Sequence, residues 1–276
     1  MSSVLYPPPR PQAIGEVLDS AFRIFRVTLL KTLPYSVMAT ISGQLQNVYL
    51  IVSGRHVAKF TNKDPTWWGL YLLGVFLSFG FLNAISLRQV AIASGSALNA
   101  LAALAAGFQK VPASIASMLL LGAAVGLCLV PAIAFPRPYN FVAVGVLGIG
   151  ASYIAVLLVL GWPAMLYAGK GVLGGLRHSA HLITGNWWRT VLIYSVALTM
   201  IIVLSVTAGL IIGVIAQFTA ARDLAVTTAV SAVMVVASGA VYMPFMTAMT
   251  LALFGDLEAR KEGRDLERRI AGEPAV

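Results

Sequence analysis

Charge-free stretches recur along the 276-residue chain: no Asp, Glu, Lys or Arg occurs at 32–54, 65–87, 111–136, 138–169, 190–221 or 224–255. Each is long enough to cross about 30 Å of hydrocarbon at about 1.5 Å per residue. The pattern therefore predicts six transmembrane helices. The windows at 138–169 and 224–255 exceed what one crossing needs, so tilt or extension beyond the bilayer is expected. Ahead of spans one, three and five the pattern becomes amphipathic. Ile14, Val17, Leu18, Ala21, Phe22 and Phe25 follow i, i+3, i+4 spacing, with Glu16, Asp19, Arg23 and Arg26 opposite. Leu98, Leu101, Ala105 and Phe108 form a second stripe. Val172, Leu176, Ala180 and Ile183 form a third, with Arg177, His178 and His181 opposite. Such stripes predict helices lying in the interface plane, here on the cytoplasmic side.

These elements predict an internal repeat. At an offset of 159 and without gaps, Ser20-Ala21 matches Ser179-Ala180, Ile24 matches Ile183, Leu33 matches Leu192, and Tyr35-Ser36-Val37 matches Tyr194-Ser195-Val196. Trp162-Pro163-Ala164-Met165 in span four echoes Met243-Pro244-Phe245-Met246 in span six. The reading is one membrane domain, 1–255, of three units at about 12–92, 95–169 and 171–255, followed by a charged cytoplasmic tail at 256–276. Each unit is an interfacial helix and two spans. Two spans return the chain to its starting side, so the units run parallel. The fold class expected is an all-α polytopic membrane protein with a pseudo-threefold repeat.

Composition excludes the main alternatives. The chain is 59% hydrophobic and 11% charged, against about 45–50% and about 25% in soluble proteins. With a mean hydropathy of +0.86, a soluble globular domain, a disordered chain and an ordinary nucleic-acid-binding domain are all set aside. The net charge of +9 comes from 19 Lys and Arg placed between the spans and at the ends. Positive-inside topology and anionic head groups account for it without nucleic acid. Fourteen of these residues fall on one side: Arg10, Arg23, Arg26, Lys31, Arg88, Lys110, Lys170, Arg177, Arg189, Arg260, Lys261, Arg264, Arg268 and Arg269. Five fall on the other: Arg55, Lys59, Lys63, Arg137 and Arg222. Both termini are therefore expected in the cytoplasm. Residues 1–26 hold Pro7, Pro8, Pro9 and Pro11 and no apolar core of a signal peptide, so span one is expected to act as the insertion signal.

Two stretches and the opening helix resemble one family. Residues 251–267, LALFGDLEARKEGRDLE, resemble the ending of bacterial glycerophosphoryl diester phosphodiesterase membrane-domain proteins, a last helix running into D-L-R-x-R-K-E-G-x-D-L-E. Residues 176–189, LRHSAHLITGNWWR, are similar to that family's R-x-S-x-x-L-x-x-G-x-W-W-R segment, and 14–23, IGEVLDSAFR, to its first amphipathic helix. Here Glu258 replaces the usual Arg after Asp-Leu. The resemblance implies a six-helix protein of the bacterial inner membrane and no established reaction. The family name derives from fusions to a separate catalytic barrel that uses metal-binding Glu and Asp with a catalytic His, and no stretch after residue 255 is expected to supply one.

Few residues in the spans carry chemistry. Gln44, Gln46 and Asn47 in span one and Asn83, Ser86 and Gln89 in span two are either interhelical hydrogen-bonding groups or the lining of a cavity. Gln44, Asn47 and Asn83 are the cavity candidates. Pro163 and Pro244 each remove a helical N–H and free the carbonyls of Val159 and Ala240, making them candidate kinks. Trp187, Trp188, Arg189 and Asp256 are candidate interface anchors: two aromatic rings at head-group level, and a cation that meets lipid phosphate or an acid of the tail. His178 and His181 read as a wet surface pair, and the tail as a solvated helix with pairs such as Glu258–Lys261. Cys128, alone in an apolar stretch, leaves no intramolecular disulfide and no Cys-based metal site. No nucleophile–base set, phosphate loop or metal-ligand cluster stands out, so catalytic residues, metal and cofactors are all expected to be none.

The function expected is a non-enzymatic integral membrane protein that scaffolds or assists a membrane partner. A small-molecule or lipid permease without ion coupling is the alternative, and a membrane-embedded enzyme the third reading. Membrane lipids, a membrane-protein partner or a second copy are the expected partners, and nucleic acid is not.

Overall fold

The computed structural model describes residues 4–53, 64–131, 139–219, 224–261 and 263. Among them every regular element is a helix: α1 (Ile14–Ser42), α2 (Leu45–Val52), α3 (Pro65–Ala93), α4 (Ala100–Gln109), α5 (Val111–Leu129), α6 (Tyr139–Leu158), α7 (Gly161–Tyr167), α8 (Val172–Ile183), α9 (Trp187–Thr219) and α10 (Leu224–Lys261). Five stretches are long and apolar enough to cross a membrane: Pro65–Ala93, Val111–Leu129, Phe141–Tyr167, Trp187–Val214 and Val230–Lys261. The chain is an all-α polytopic membrane protein. The basic residues counted on the minority side (Arg55, Lys59, Lys63, Arg137 and Arg222) and the tail from Arg264 onward lie outside the described residues.

The first expected span takes a different form. The interfacial helix and the span that follows it are one continuous helix, α1. Its buried face runs unbroken through Val17, Ala21, Ile24, Thr28, Thr32, Ser36, Ala39 and Thr40. The 3.6-residue period carries past Arg26 and Lys31, so nothing stops the helix there. Halfway along, the stripe changes from apolar residues to hydroxyls, and Thr28, Thr32 and Thr40 return their protons to the carbonyls four residues earlier. The helix ends at Ser42, and after Gly43-Gln44 the chain resumes as α2. Asp64 then starts α3, accepting from the Thr66 N–H at 3.0 Å with Pro65 at the first helical position.

The chain divides into two compact units. One comprises residues 22–111 and 196–248. There α4, capped by Asn99 accepting from Ala102 N at 2.7 Å, crosses α3 at backbone contact. A Cβ placed on Gly107 would stand 2.6 Å from Gly80 O and 2.7 Å from Ala84 N. Phe108 closes the crossing edge-on to Phe81, with ring centroids 5.4 Å apart. In the same unit α10 lies on α1, where Phe245 packs against Phe22 and Phe25 at 5.4 and 5.6 Å.

The other unit comprises residues 1–21, 112–195 and 249–276. Span four is broken within it: α6 ends at Leu158 and α7 begins at Gly161. Ser179 of α8 closes the break. Its hydroxyl donates to Leu157 O at 2.6 Å and accepts from Leu160 N at 3.1 Å. A Cβ placed on Gly175 of α8 would stand 2.6 Å from Gly161 O and 3.3 Å from Met165 N. The crossing of α7 with α8 thus repeats the local geometry of α3 with α4, with Gly161 and Met165 at the places of Gly80 and Ala84.

Candidate functional site

Polar groups gather at the end of α10, within the unit that holds residues 249–276. Leu251, Leu253, Phe254 and Leu257 bury the helix there, and the burial carries Asp256 (0% exposed), Glu258 (3%) and Ala259 (4%) inside with them. A solvated helix is expected from residue 256; instead its first turn is buried, because apolar neighbours at 253, 254 and 257 flank the acids on the helix surface.

Asp256 is held from three directions. The backbone N–H of Gln12 donates to Oδ1 at 2.7 Å. Arg189, in the first turn of α9, donates from Nε to Oδ2 at 2.9 Å. Arg260, one turn along α10, donates from Nε to the same oxygen at 3.1 Å. Both guanidiniums also donate through Nη2 to the carbonyl of Gln12. A carboxylate removed from water needs such donors to remain charged. Of the four expected anchors, the structure brings Arg189 and Asp256 together. Trp187 stands on Tyr153, stacking at 5.5 Å and donating to its carbonyl at 3.3 Å, while Trp188 is 73% exposed. The turn into α9 uses Gly185 at φ +85°; the Asn186 side chain donates back to Leu182 O at 3.3 Å, while its carbonyl accepts from Thr190 N at 3.0 Å.

Glu258 heads a second buried set. His178 Nε2 lies 3.7 Å from Glu258 Oε1, and Tyr6 donates to Oε2 at 3.4 Å. His178 Nδ1 accepts from Lys170 Nζ at 2.8 Å. A bond of that polarity puts the imidazole proton on Nε2, towards Glu258. The expected wet pair is therefore split: His181 is exposed, and His178 is buried against Phe254 at 6.0 Å. Glu258 engages His178 and Tyr6 in addition to lying three residues from Lys261.

The cavity candidates are dispersed. Gln44 and Asn47 bond to each other at 2.7 Å beside the turn after α1. Asn83, fully buried, donates to Gly107 O at 3.0 Å and belongs to the α3–α4 crossing. A cleft of about 140 Å³ opens nearby, lined by Gly43, Gln46, Tyr71, Val75, Ser78 and Phe79. Gln89, also fully buried, donates to Thr28 Oγ1 at 3.2 Å and to Pro244 O at 2.8 Å. Pro163 sits in the first turn of α7, just past the α6–α7 break, where no helical N–H is required. Pro244 lies inside α10, and the carbonyl it frees, Ala240 O, accepts from Ser36 at 3.0 Å.

Sequence reasoning missed Gln12, Arg260, Ser36, Ser179 and the burial of Glu258. Arg260 carries a visible signal, four residues beyond Asp256. Gln12 acts through its backbone, which no residue type announces. No family model, curated protein or solved structure matches the chain.

Proposed function

We propose that the chain is a non-enzymatic integral membrane protein that serves as a scaffold or accessory subunit for a partner in the membrane. One observation carries the reading: the glycines of the apolar helices fall into two sets. Gly74, Gly80, Gly107, Gly161, Gly175, Gly239 and Gly255 have no room for a Cβ. Gly69 of α3, Gly122 and Gly126 of α5, Gly145, Gly148 and Gly150 of α6, and Gly209 and Gly213 of α9 meet nothing within 4 Å among the described residues. Gly122 and Gly126, and Gly209 and Gly213, stand four apart, the spacing that lets a second helix approach closely in lipid. In support, Asn83, Gln89 and Ser36 bond to backbone carbonyls rather than line a path. The partner class is a membrane helix, from another protein or a second copy. The reading includes six spans with both termini cytoplasmic in a bacterial inner membrane, supported by the resemblance at 14–23, 176–189 and 251–267 and by the basic-residue count. It also includes the repeat, supported by the matched crossings at Gly80/Gly107 and Gly161/Gly175.

Intramembrane crosslinking tests it. Single cysteines beside Gly126 and Gly213, in a Cys128→Ala background, should crosslink to a second helix in native membranes. Gly126→Leu and Gly213→Leu should abolish the product. A chain that crosslinks to nothing overturns the scaffold reading. The permease reading is favoured by the cleft at the α1–α2 break; solute uptake into proteoliposomes that Ser78→Phe blocks would establish it instead.

A further inference from the structure

Arg189 and Arg260 engage the same two acceptors in the same manner. Each sets Nε on the Asp256 carboxylate and Nη2 on the Gln12 carbonyl. One fully buried negative charge thus faces two positive ones. Of the other described acids of this unit, Glu16 lies 2.7 Å from Arg10, Glu258 faces His178 and Tyr6, and Asp19 is exposed. Two guanidiniums on one carboxylate oxygen repel each other, more strongly where water is partly excluded. A second anion relieves that repulsion.

The donors for such an anion are present. A guanidinium carries five N–H groups, and the bonds to Asp256 and Gln12 use two on each arginine, one on Nε and one on Nη2. Nη1 and the second Nη2 proton remain on both. The side chains keep 16% and 30% of their surface exposed, so the pair is held by Asp256 and Gln12 yet partly accessible. Lys261 is exposed, and its Nζ lies 4.0 Å from where a Cβ on Gly185 would stand, in the turn that leads to Arg189. We propose that Arg189 and Arg260, with Lys261 at the rim, bind a phosphate-bearing anion.

Paired guanidiniums suit phosphate because each presents a planar fork that matches two oxygens. Trp187 and Trp188 immediately precede Arg189, and indole rings of this kind rest at head-group level. That is the depth of the phosphodiester of an anionic lipid, although a soluble phosphate offers the same oxygens. The site stands independently of the scaffold reading, since it uses none of the open glycines of α5, α6 and α9.

Native mass spectrometry of the full chain in mild detergent tests the assignment. Phosphatidylglycerol and phosphatidylcholine are titrated separately, and inorganic phosphate is tested by thermal shift. Arg260→Gln keeps the Arg189–Asp256 pair and removes the surplus charge. Arg10→Gln removes an equal charge elsewhere. The expected result is retention of phosphatidylglycerol over phosphatidylcholine, weakened about tenfold or more in Arg260→Gln as two charge-assisted hydrogen bonds are lost, and unchanged in Arg10→Gln. A stabilisation by inorganic phosphate that disappears in Arg260→Gln, without preference between the lipids, supports the site with a soluble ligand. Equal retention in wild type and Arg260→Gln with no phosphate effect overturns the proposal, as does equal loss in Arg10→Gln. Should Arg260→Gln not fold, Arg260→Lys replaces it, keeping the charge without the fork; unchanged binding in that variant also overturns the proposal.

Discussion

The hydroxyl of Ser36 on α1 donates to the carbonyl of Ala240 on α10, the group that Pro244 leaves without a helical partner, at 3.0 Å. The same hydroxyl lies 2.9 Å from Leu33 O on its own helix. Gln89 donates to another carbonyl of the same helix, Pro244 O, at 2.8 Å. A proline inside a membrane helix is tolerated where neighbours supply such donors. Here both donors come from other helices, so the defect in α10 becomes a point of attachment.

Ser36→Ala should destabilise the detergent-solubilised protein by about 1 kcal/mol, the scale of one interhelical hydrogen bond. Pro244→Ala restores the helical N–H to Ala240 O. In that background Ser36→Ala should have little further effect, and a thermal-unfolding double-mutant cycle reads the difference. Equal costs in both backgrounds would show that Ser36 acts through something other than the freed carbonyl.

Asp256→Ala should be the most damaging single change at the site. It leaves two partly buried guanidiniums without their carboxylate, and removal of one partner from such a cluster costs about 3–5 kcal/mol. Arg189→Ala should cost less, about 1.5–3 kcal/mol, because Arg260 still neutralises the buried acid. Unfolding midpoints in one detergent order the two variants. A milder Asp256→Ala would mean that the acid is not held as a charge.

The two sets of glycines should respond in opposite ways to alanine. Gly107→Ala drives a methyl into the α3 backbone at Gly80 and Ala84 and should cost about 1–3 kcal/mol through overpacking. Gly122→Ala meets open space, and it should leave the isolated chain unchanged or stabilise its helix by up to about 1 kcal/mol. Chemical unfolding of the solubilised chain separates the two cases.

Ser179→Ala removes both bonds that close the α6–α7 break, orphaning Leu160 N–H and Leu157 O. A cost of about 1–3 kcal/mol follows from the unsatisfied groups. Leu160 is fully buried, so its amide should exchange faster with deuterium in the variant than in the wild type. Unchanged exchange would place the closure of the break elsewhere.

Hydropathy alone located most of the membrane-crossing helices: the charge-free windows from 65 onward coincide with the five long apolar stretches. An uninterrupted apolar run has one way to satisfy its backbone in lipid, by local helical bonds, so residue type determines it without reference to the rest of the chain. Arg189 and Asp256 were legible as anchors for a similar reason, since each is a charge placed at the edge of such a run. What the pattern could not decide depends on contacts between distant residues. Whether α1 breaks near Arg26 is set by one face buried from Val17 to Thr40, not by the local charge. Asn83 becomes an interhelical strut because Gly107 brings a carbonyl within 3.0 Å of it, and His178 is buried because Glu258 and Phe254, about eighty residues later, fold against it. Polar side chains take their role from the partner that reaches them, and only tertiary structure supplies that partner.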